Sequence, residues 1–373
     1  MKLYSGLGSI KKIIGILNEC NATKVLIVCG KKSFTESGAK NKLENYLEGF
    51  DVKFFSDFNV NPKIDDAIKG AKFAKINKID SIISIGGGSV IDMAKLIKAF
   101  YANIDLAKKI ITSKIHISDP DIPIICVPTT AGSGSESTHF AVVYVGDKKY
   151  SLANNCLLSD YVILDGNFPL SASRYLKACN VLDAISQAIE STWSVNSTPH
   201  SQNISLKALK DCMSNYESFV NKKSSKQASQ LMLEASNLAG QAINITKTTS
   251  AHAWSYGFTS KLNIPHGHAV WMTLPRIFKI HSLKGNRIND PRGEDYILRT
   301  MTRLKKILNM SQTDDPEKYF QKFLQSMEIS NDINFLRGMN NKFKNELKTS
   351  VNLERMANNP IEFSQEQIDE IFN

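Results

Sequence analysis

Two histidines, His252 and His266, stand close together in a stretch of small and aromatic residues, KTTSAHAWSYGFTSKLNIPHGHAVWMTLP, which runs from Lys247 to Pro275. The same stretch holds His268, so it carries three of the chain's seven histidines. His252 opens a helical pattern, and Pro265-His266-Gly267 interrupts it. Imidazoles from neighbouring helices can hold one metal ion if a carboxylate joins them and a glycine lets the backbones approach. The candidate carboxylate lies upstream in Asp183-Ala-Ile-Ser-Gln187-Ala-Ile-Glu190. There Asp183 and Gln187 are spaced i, i+4 and share one helical face. A histidine in an apolar helix, taken singly, is most often a hydrogen-bonded core residue. This set stands out because of what the rest of the chain carries.

A second chemistry lies in the first half. Residues 81–85 (SIISI) form a buried-strand run, followed by Gly86, Gly87, Gly88 and Ser89 and then a helical pattern over 90–100 that contains Asp92 and Lys95. Glycines between a strand and a helix start place backbone N–H groups around a phosphate. Tight turns also use glycine for no chemical reason, so the placement carries this reading. Residues 123–127 (PIICV) lead into Pro128-Thr129-Thr130-Ala131-Gly132-Ser133-Gly134-Ser135-Glu136. This run of small and hydroxyl side chains leaves room for a flat ligand and supplies short donors. The alternative is a surface loop, but the strand leading in is too apolar for a surface linker.

These residues need elements to position them. Strand patterns at 24–29, 52–55, 81–85 and 123–127 alternate with helical patterns at 41–47 and 64–75. Such alternation argues a parallel sheet covered on both faces, with the ligand at the strand ends. Strand character persists at 141–145 and 161–164 and then stops. Beyond it come helical patterns at 174–192, 199–220, 228–242, 250–261, 268–281, 295–308 and 316–326. The pattern therefore reads as an α/β domain over 1–167, followed by an all-α domain over 168–373.

Composition excludes several other classes. Of the 373 residues, 42% are hydrophobic and 22% charged, which suits an ordinary globular protein rather than a disordered one. The net charge of +10 comes from lysines interspersed with acids, with no basic run interleaved with aromatics. No nucleic-acid partner is expected, and the charge suits small anions. No window approaches the roughly 20 apolar residues of a membrane span. The N-terminus lacks a signal-peptide pattern, and the six cysteines have no framework spacing. A cytoplasmic protein with reduced thiols and no membrane partner is the expectation.

GGGSVIDMAK, PTTAGSGSE, DAISQAIES and HAWSYGF…PHG, in this order, resemble the iron-containing alcohol dehydrogenases over residues 1 to about 290. The resemblance implies the fold these enzymes share with dehydroquinate synthase, a Rossmann-like α/β dinucleotide-binding domain over 1–167 and an all-α metal and substrate domain over 168–373, with the active site in the cleft. It assigns Gly86, Gly87, Gly88 and Ser89 to the cofactor pyrophosphate and Thr129, Thr130 and Ser133 to its phosphate and nicotinamide ribose, and it counts Asp92 among the cofactor-binding residues. The family's metal ligands fall on Asp183, Gln187, His252 and His266, with Gln187 standing where the family usually has histidine. Two imidazoles and a carboxylate suit Fe(II) and tolerate Zn(II).

Tyr256 takes the place of a further histidine thought to help move the alcohol proton. After the strand at 24–29, Gly30, Lys31, Lys32 and Ser33 replace the acid of NAD-preferring members, so NADPH is expected, alongside NADH. The second-half wording resembles the phosphonoacetaldehyde reductase branch, which implies reduction of 2-phosphonoacetaldehyde to 2-hydroxyethylphosphonate. A small anionic aldehyde needs cationic partners, for which Lys247 and Lys149 are candidates; His268 is read as structural. A homodimer is the expected assembly. The alternatives are a general metal-dependent alcohol or lactaldehyde dehydrogenase, and a metal-free dinucleotide-binding protein.

Overall fold

The almost unbroken aliphatic runs KVLIVC, SIISIG, IICVP and YVIL suit strands covered on both faces. The computed structural model describes residues 1–113, 115–146, 148–221, 225–329 and 338–372. Its N-terminal strands are β1 (Lys2–Ser5), β2 (Lys24–Cys29), β3 (Asp51–Phe55), β4 (Ser81–Gly86), β5 (Ile124–Pro128), β6 (Phe140–Val145), β7 (Lys148–Ala153) and β8 (Tyr161–Leu164). Six of them form a parallel sheet in the order β1-β8-β5-β4-β2-β3, as the alternating pattern requires. The winding direction reverses between β2 and β4, which opens a crevice at their carboxyl ends. Two details differ from the sequence pattern. The edge strand β1 is short and mostly exposed, so it carries no apolar run to betray it. The strand expected at 141–145 leaves the sheet and pairs antiparallel with β7 as a separate hairpin.

Helices α1 (Ile13–Glu19), α2 (Ser33–Glu36), α3 (Ala39–Glu44), α4 (Ile64–Ile76), α5 (Gly88–Tyr101) and α6 (Ala107–Ser113) cover this sheet. On one face Val25, Ile27, Ile83, Ile85, Ile125 and Val127 bury against Ile13, Ile16, Leu17 and Leu43. The unit is not continuous in sequence, because it takes Met1–Ala172 together with Ser225–Asn237. Gln230 binds this later segment in. The Gly166 amide donates to its Oε1 at 2.7 Å, and its Nε2 donates to the Leu164 carbonyl at 3.1 Å. Gly166 permits the approach, since a Cβ there would lie 2.6 Å from Gln230 Cα.

Among the described residues, the second unit, Ser173–Ser224 with Leu238–Asn373, is helical apart from a short antiparallel pair between residues 287–288 and 361–362. It contains α7 (Arg174–Trp193), α8 (Pro199–Val220), the end of α9 (Lys226–Thr246), α10 (Ser250–Leu262), α11 (His266–Trp271), α12 (Leu274–His281), α13 (Glu294–Ile307) and α14 (Pro316–Ser326). Local signals set the starts. Ser173 caps α7 by accepting from the Leu176 amide, and Thr198 with Ser201 forms a capping box before α8. The single helix read at 268–281 is in fact α11 and α12. Pro275 has no N–H and its ring opposes the preceding turn, so a new helix starts there. Among the described residues, no helix is long and apolar enough to cross a membrane.

The core of this unit holds a neutral histidine. His281 is fully buried, its ring 4.5 Å from Trp193 and stacked on Phe363, and its Nε2 lies 3.2 Å from the Asn359 amide nitrogen. Burial lowers its pKa from 6.5 to about 3. Below pH ~6.5 the unfolded chain therefore binds a proton that the folded chain refuses. Stability contributed by the neutral ring is present above that pH and drains away as pH falls, by about 1.4 kcal/mol per pH unit. Urea denaturation at pH 7, 6 and 5 should show a shallower slope for His281→Phe than for the wild type. Equal slopes would refute this account.

Candidate metal and cofactor sites

In the helical unit, α7, α10 and α11 bring a carboxylate and two imidazoles to one point. One ligand atom each from Asp183, His252 and His266 lies within 4.8 Å of the others. The two imidazole rings are 5.3 Å apart, edge to face, and His252 Nε2 is 3.4 Å from Asp183 Oδ1. Gly267 makes this possible. A Cβ at that position would fall 2.0 Å from the Cys179 carbonyl oxygen and 2.9 Å from the Asp183 amide, so α11 lies directly against α7. The Trp271 indole locks the pair by donating to the Leu182 carbonyl at 2.8 Å.

The electrostatics of this point favour a positive charge. Burial pushes His252 toward its neutral form, but Glu190 and Asp183 outweigh it and raise the pKa to about 9. Burial likewise works to raise Asp183, yet His266 and His252 hold it below the ordinary carboxylate range. His252 Nε2 is buried with no hydrogen-bond partner. A buried nitrogen left without a proton donor, aimed at a carboxylate and a second imidazole, fits a divalent cation. Gln187, one turn after Asp183 on α7, donates its amide nitrogen to Asp183 Oδ1 at 3.1 Å. Tyr256, one turn after His252 on α10, is half-buried.

The structure does not bring every expected residue to this cluster. Lys247 adopts a positive φ of 58° and pairs with Glu354 at 2.5 Å. His268 faces the Tyr175 hydroxyl at 2.9 Å, consistent with a structural role. Two contributors were missed. Glu190 is fully buried and holds His252, a role its place on the face of Asp183 at i, i+7 could have signalled. Asn359 accepts from Ser250 at 2.8 Å at the start of α10, from a tail in which no pattern pointed to a site.

In the α/β unit the glycine turn and the hydroxyl loop lie side by side at the ends of β4 and β5. The Thr129 amide donates to the Gly86 carbonyl at 2.9 Å. A Cβ on Gly87 would meet Thr130 at 3.2 Å, and one on Gly88 would meet Ser133 Oγ at 2.9 Å. Gly88 opens α5 directly after β4, and the first N–H groups of a helix placed so can take a phosphate. Ser89 Oγ accepts from the Asn61 amide at 3.3 Å. Gly30 ends β2 beside Ser33, and both Gly30 and Gly86 border Val90. Lys31 and Lys32 are exposed, with Lys31 3.5 Å from Asp57.

Asp92 and Lys95 act beneath this surface. Asp92 accepts from Ser135 Oγ at 2.6 Å and from the Val142 amide at 3.1 Å. Lys95, fully buried, donates to the carbonyls of Ser135, Thr138 and Phe140 at 2.6, 2.6 and 3.0 Å. An ammonium with several acceptors is what makes its burial tolerable. Together the two side chains hold the end of the hydroxyl loop against α5.

Residues 1–166 match the family described as "Iron-containing alcohol dehydrogenase", and residues 177–373 match "Fe-containing alcohol dehydrogenase family, C-terminal". The chain is 27% identical to long-chain-alcohol dehydrogenase 1 of Geobacillus thermodenitrificans over 74% of its own length and 70% of that protein's. It is 28% identical to the sulfoacetaldehyde reductase of Bilophila wadsworthia, over 88% of this chain and 85% of that one. It is also 28% identical to the phosphonoacetaldehyde reductase of Streptomyces viridochromogenes, over 65% and 64% respectively.

Proposed function

The chain belongs to the iron-containing alcohol dehydrogenase family, NAD(P)-dependent oxidoreductases of alcohols and aldehydes, and from that premise we propose that it reduces a small anionic aldehyde to its alcohol. 2-Phosphonoacetaldehyde, giving 2-hydroxyethylphosphonate, is the substrate we assign. The observation that carries the reaction is the convergence of Asp183, His252 and His266. Support for the anionic substrate comes from the relatives that act on phosphonoacetaldehyde and sulfoacetaldehyde, and from the net charge of +10. It does not rest on Lys247, whose ammonium is engaged by Glu354.

Asp183, His252 and His266 would hold the metal, with Gln187 orienting Asp183 through its amide. When bound, the metal supplies Lewis-acid polarisation of a carbonyl oxygen and the reduced nicotinamide supplies the hydride. The N–H groups at the start of α5 and the Thr129, Thr130 and Ser133 side chains would seat the pyrophosphate and ribose. Gly30 removes the ribose-binding acid, and Lys32 beside it favours a 2′-phosphate, hence NADPH. Tyr256, on the turn after His252, would deliver a proton from its hydroxyl to the product alkoxide.

The test is steady-state reduction of phosphonoacetaldehyde, sulfoacetaldehyde, acetaldehyde and lactaldehyde, each with NADPH and NADH. The expected result is a kcat/KM preference for the anionic aldehydes well above tenfold. A preference below about tenfold, roughly 1.4 kcal/mol of transition-state binding, removes the anionic assignment and favours a general alcohol dehydrogenase.

A further inference from the structure

We propose that Glu190 is the positioning residue of the metal centre: it fixes the tautomer and the ring orientation of His252, so that Nε2 is the nitrogen presented to the ion. This rests on the reading of Asp183, His252 and His266 as ligands. Glu190 lies on α7 and is completely buried, a placement that a carboxylate tolerates only when its oxygens are filled. They are filled by one neighbourhood. Oε1 accepts from the Thr249 hydroxyl at 2.7 Å, from the Ala251 amide at 2.9 Å and from the His252 amide at 3.4 Å. Oε2 faces Nδ1 of the same histidine. One carboxylate therefore grips both the backbone and the ring of His252.

The direction of these bonds assigns the proton. The Trp193 indole can only donate, and it donates to Thr249 Oγ1 at 2.8 Å. Thr249 is thereby free to pass its own proton to Glu190, and the two amides are donors by nature. With Oε1 filled by these donors, Glu190 turns Oε2 to His252 as an acceptor, so the proton between them sits on Nδ1. Nε2, which faces Asp183 without a hydrogen-bond partner, is thus the nitrogen an ion would take.

A carboxylate behind a ligating imidazole also makes it a stronger donor, and losing such a partner typically weakens metal binding about 10–100-fold. That reinforcement matters here because position 187 offers an amide rather than a further imidazole. A purely structural account exists: Glu190 also receives the first amides of α10 and could serve only as its cap.

Glu190→Gln separates the two accounts, because the amide keeps the size and one acceptor but turns a donor toward Nδ1. Co(II) is titrated into metal-free wild type and variant, reading affinity and the visible ligand-field bands, with thermal unfolding of both metal-free proteins alongside. The expected result is a 10–100-fold loss of Co(II) affinity with altered bands. A variant that melts earlier but binds Co(II) with unchanged affinity and bands makes Glu190 a helix cap, and the proposal falls alone. Wild type that binds no Co(II) brings down the ligand reading and this proposal with it. Should the variant not fold, nitrogen-15 spectra of the zinc-loaded, histidine-labelled wild type decide. A protonated Nδ1 with zinc on Nε2 is expected for His252, and the reverse overturns the proposal.

Discussion

Replacing His252 by alanine is expected to lower kcat for aldehyde reduction by about 10³-fold or more. The side chain offers one of three converging ligand atoms, and a catalytic metal contributes several kcal/mol of transition-state stabilisation. On the proposed ligand set, its removal would leave only Asp183 and His266, too few to hold an ion in place. The substitution also strips Glu190 Oε2 of its partner inside a dry site, which should destabilise the fold by roughly 1–3 kcal/mol. Both effects can be read on one preparation, as kcat with metal content and as a urea midpoint. A variant keeping wild-type metal content and a tenth of the wild-type kcat would show that His252 is not a ligand.

The second large effect is expected from adding a single methyl group at Gly267. The new Cβ would sit 2.0 Å from the Cys179 carbonyl oxygen and 3.0 Å from Asp183 Cβ, so backbone and not a flexible side chain must yield. α11 has to move off α7, carrying His266 away from Asp183. Overpacking of this kind costs about 1–3 kcal/mol, and more where the neighbour is rigid. Gly267→Ala should therefore lose both thermal stability and metal affinity. Gly15→Ala is the contrast, since a Cβ there meets nothing within 4 Å in helix α1, and it should gain up to about 1 kcal/mol. A Gly267→Ala protein with wild-type metal affinity would show that the close approach of the two helices does not matter to the site.

Much of this architecture was legible because short-range pattern and burial coincide. Strands such as KVLIVC are covered on both faces and must be apolar throughout, which makes them conspicuous. The spacing of Asp183 and Gln187 placed both on one face, and the structure joins them by a hydrogen bond. Features set by distant partners were hidden. Lys247 meets Glu354, and Ser250 meets Asn359, across more than a hundred positions of chain. No local pattern encodes such pairings. Glu190 stood in a quoted motif, yet its role depends on Nδ1 of a histidine from another helix. The apolar stripe from 268 to 281 concealed a break because both halves bury similar faces, and only Pro275 marked it.

The interrupted make-up of the α/β unit bears on how the protein is made. A ribosome releases β1 through β8 well before it releases Gln230 and Asn237, with all of residues 173–224 emerging between them. Until then the Gly166 amide, just past β8, waits for the side chain that will accept its proton. Domains that finish early can fold early during synthesis. This one stays incomplete until α9 arrives, so its unfinished edge is exposed to premature association for as long as residues 173–224 take to emerge.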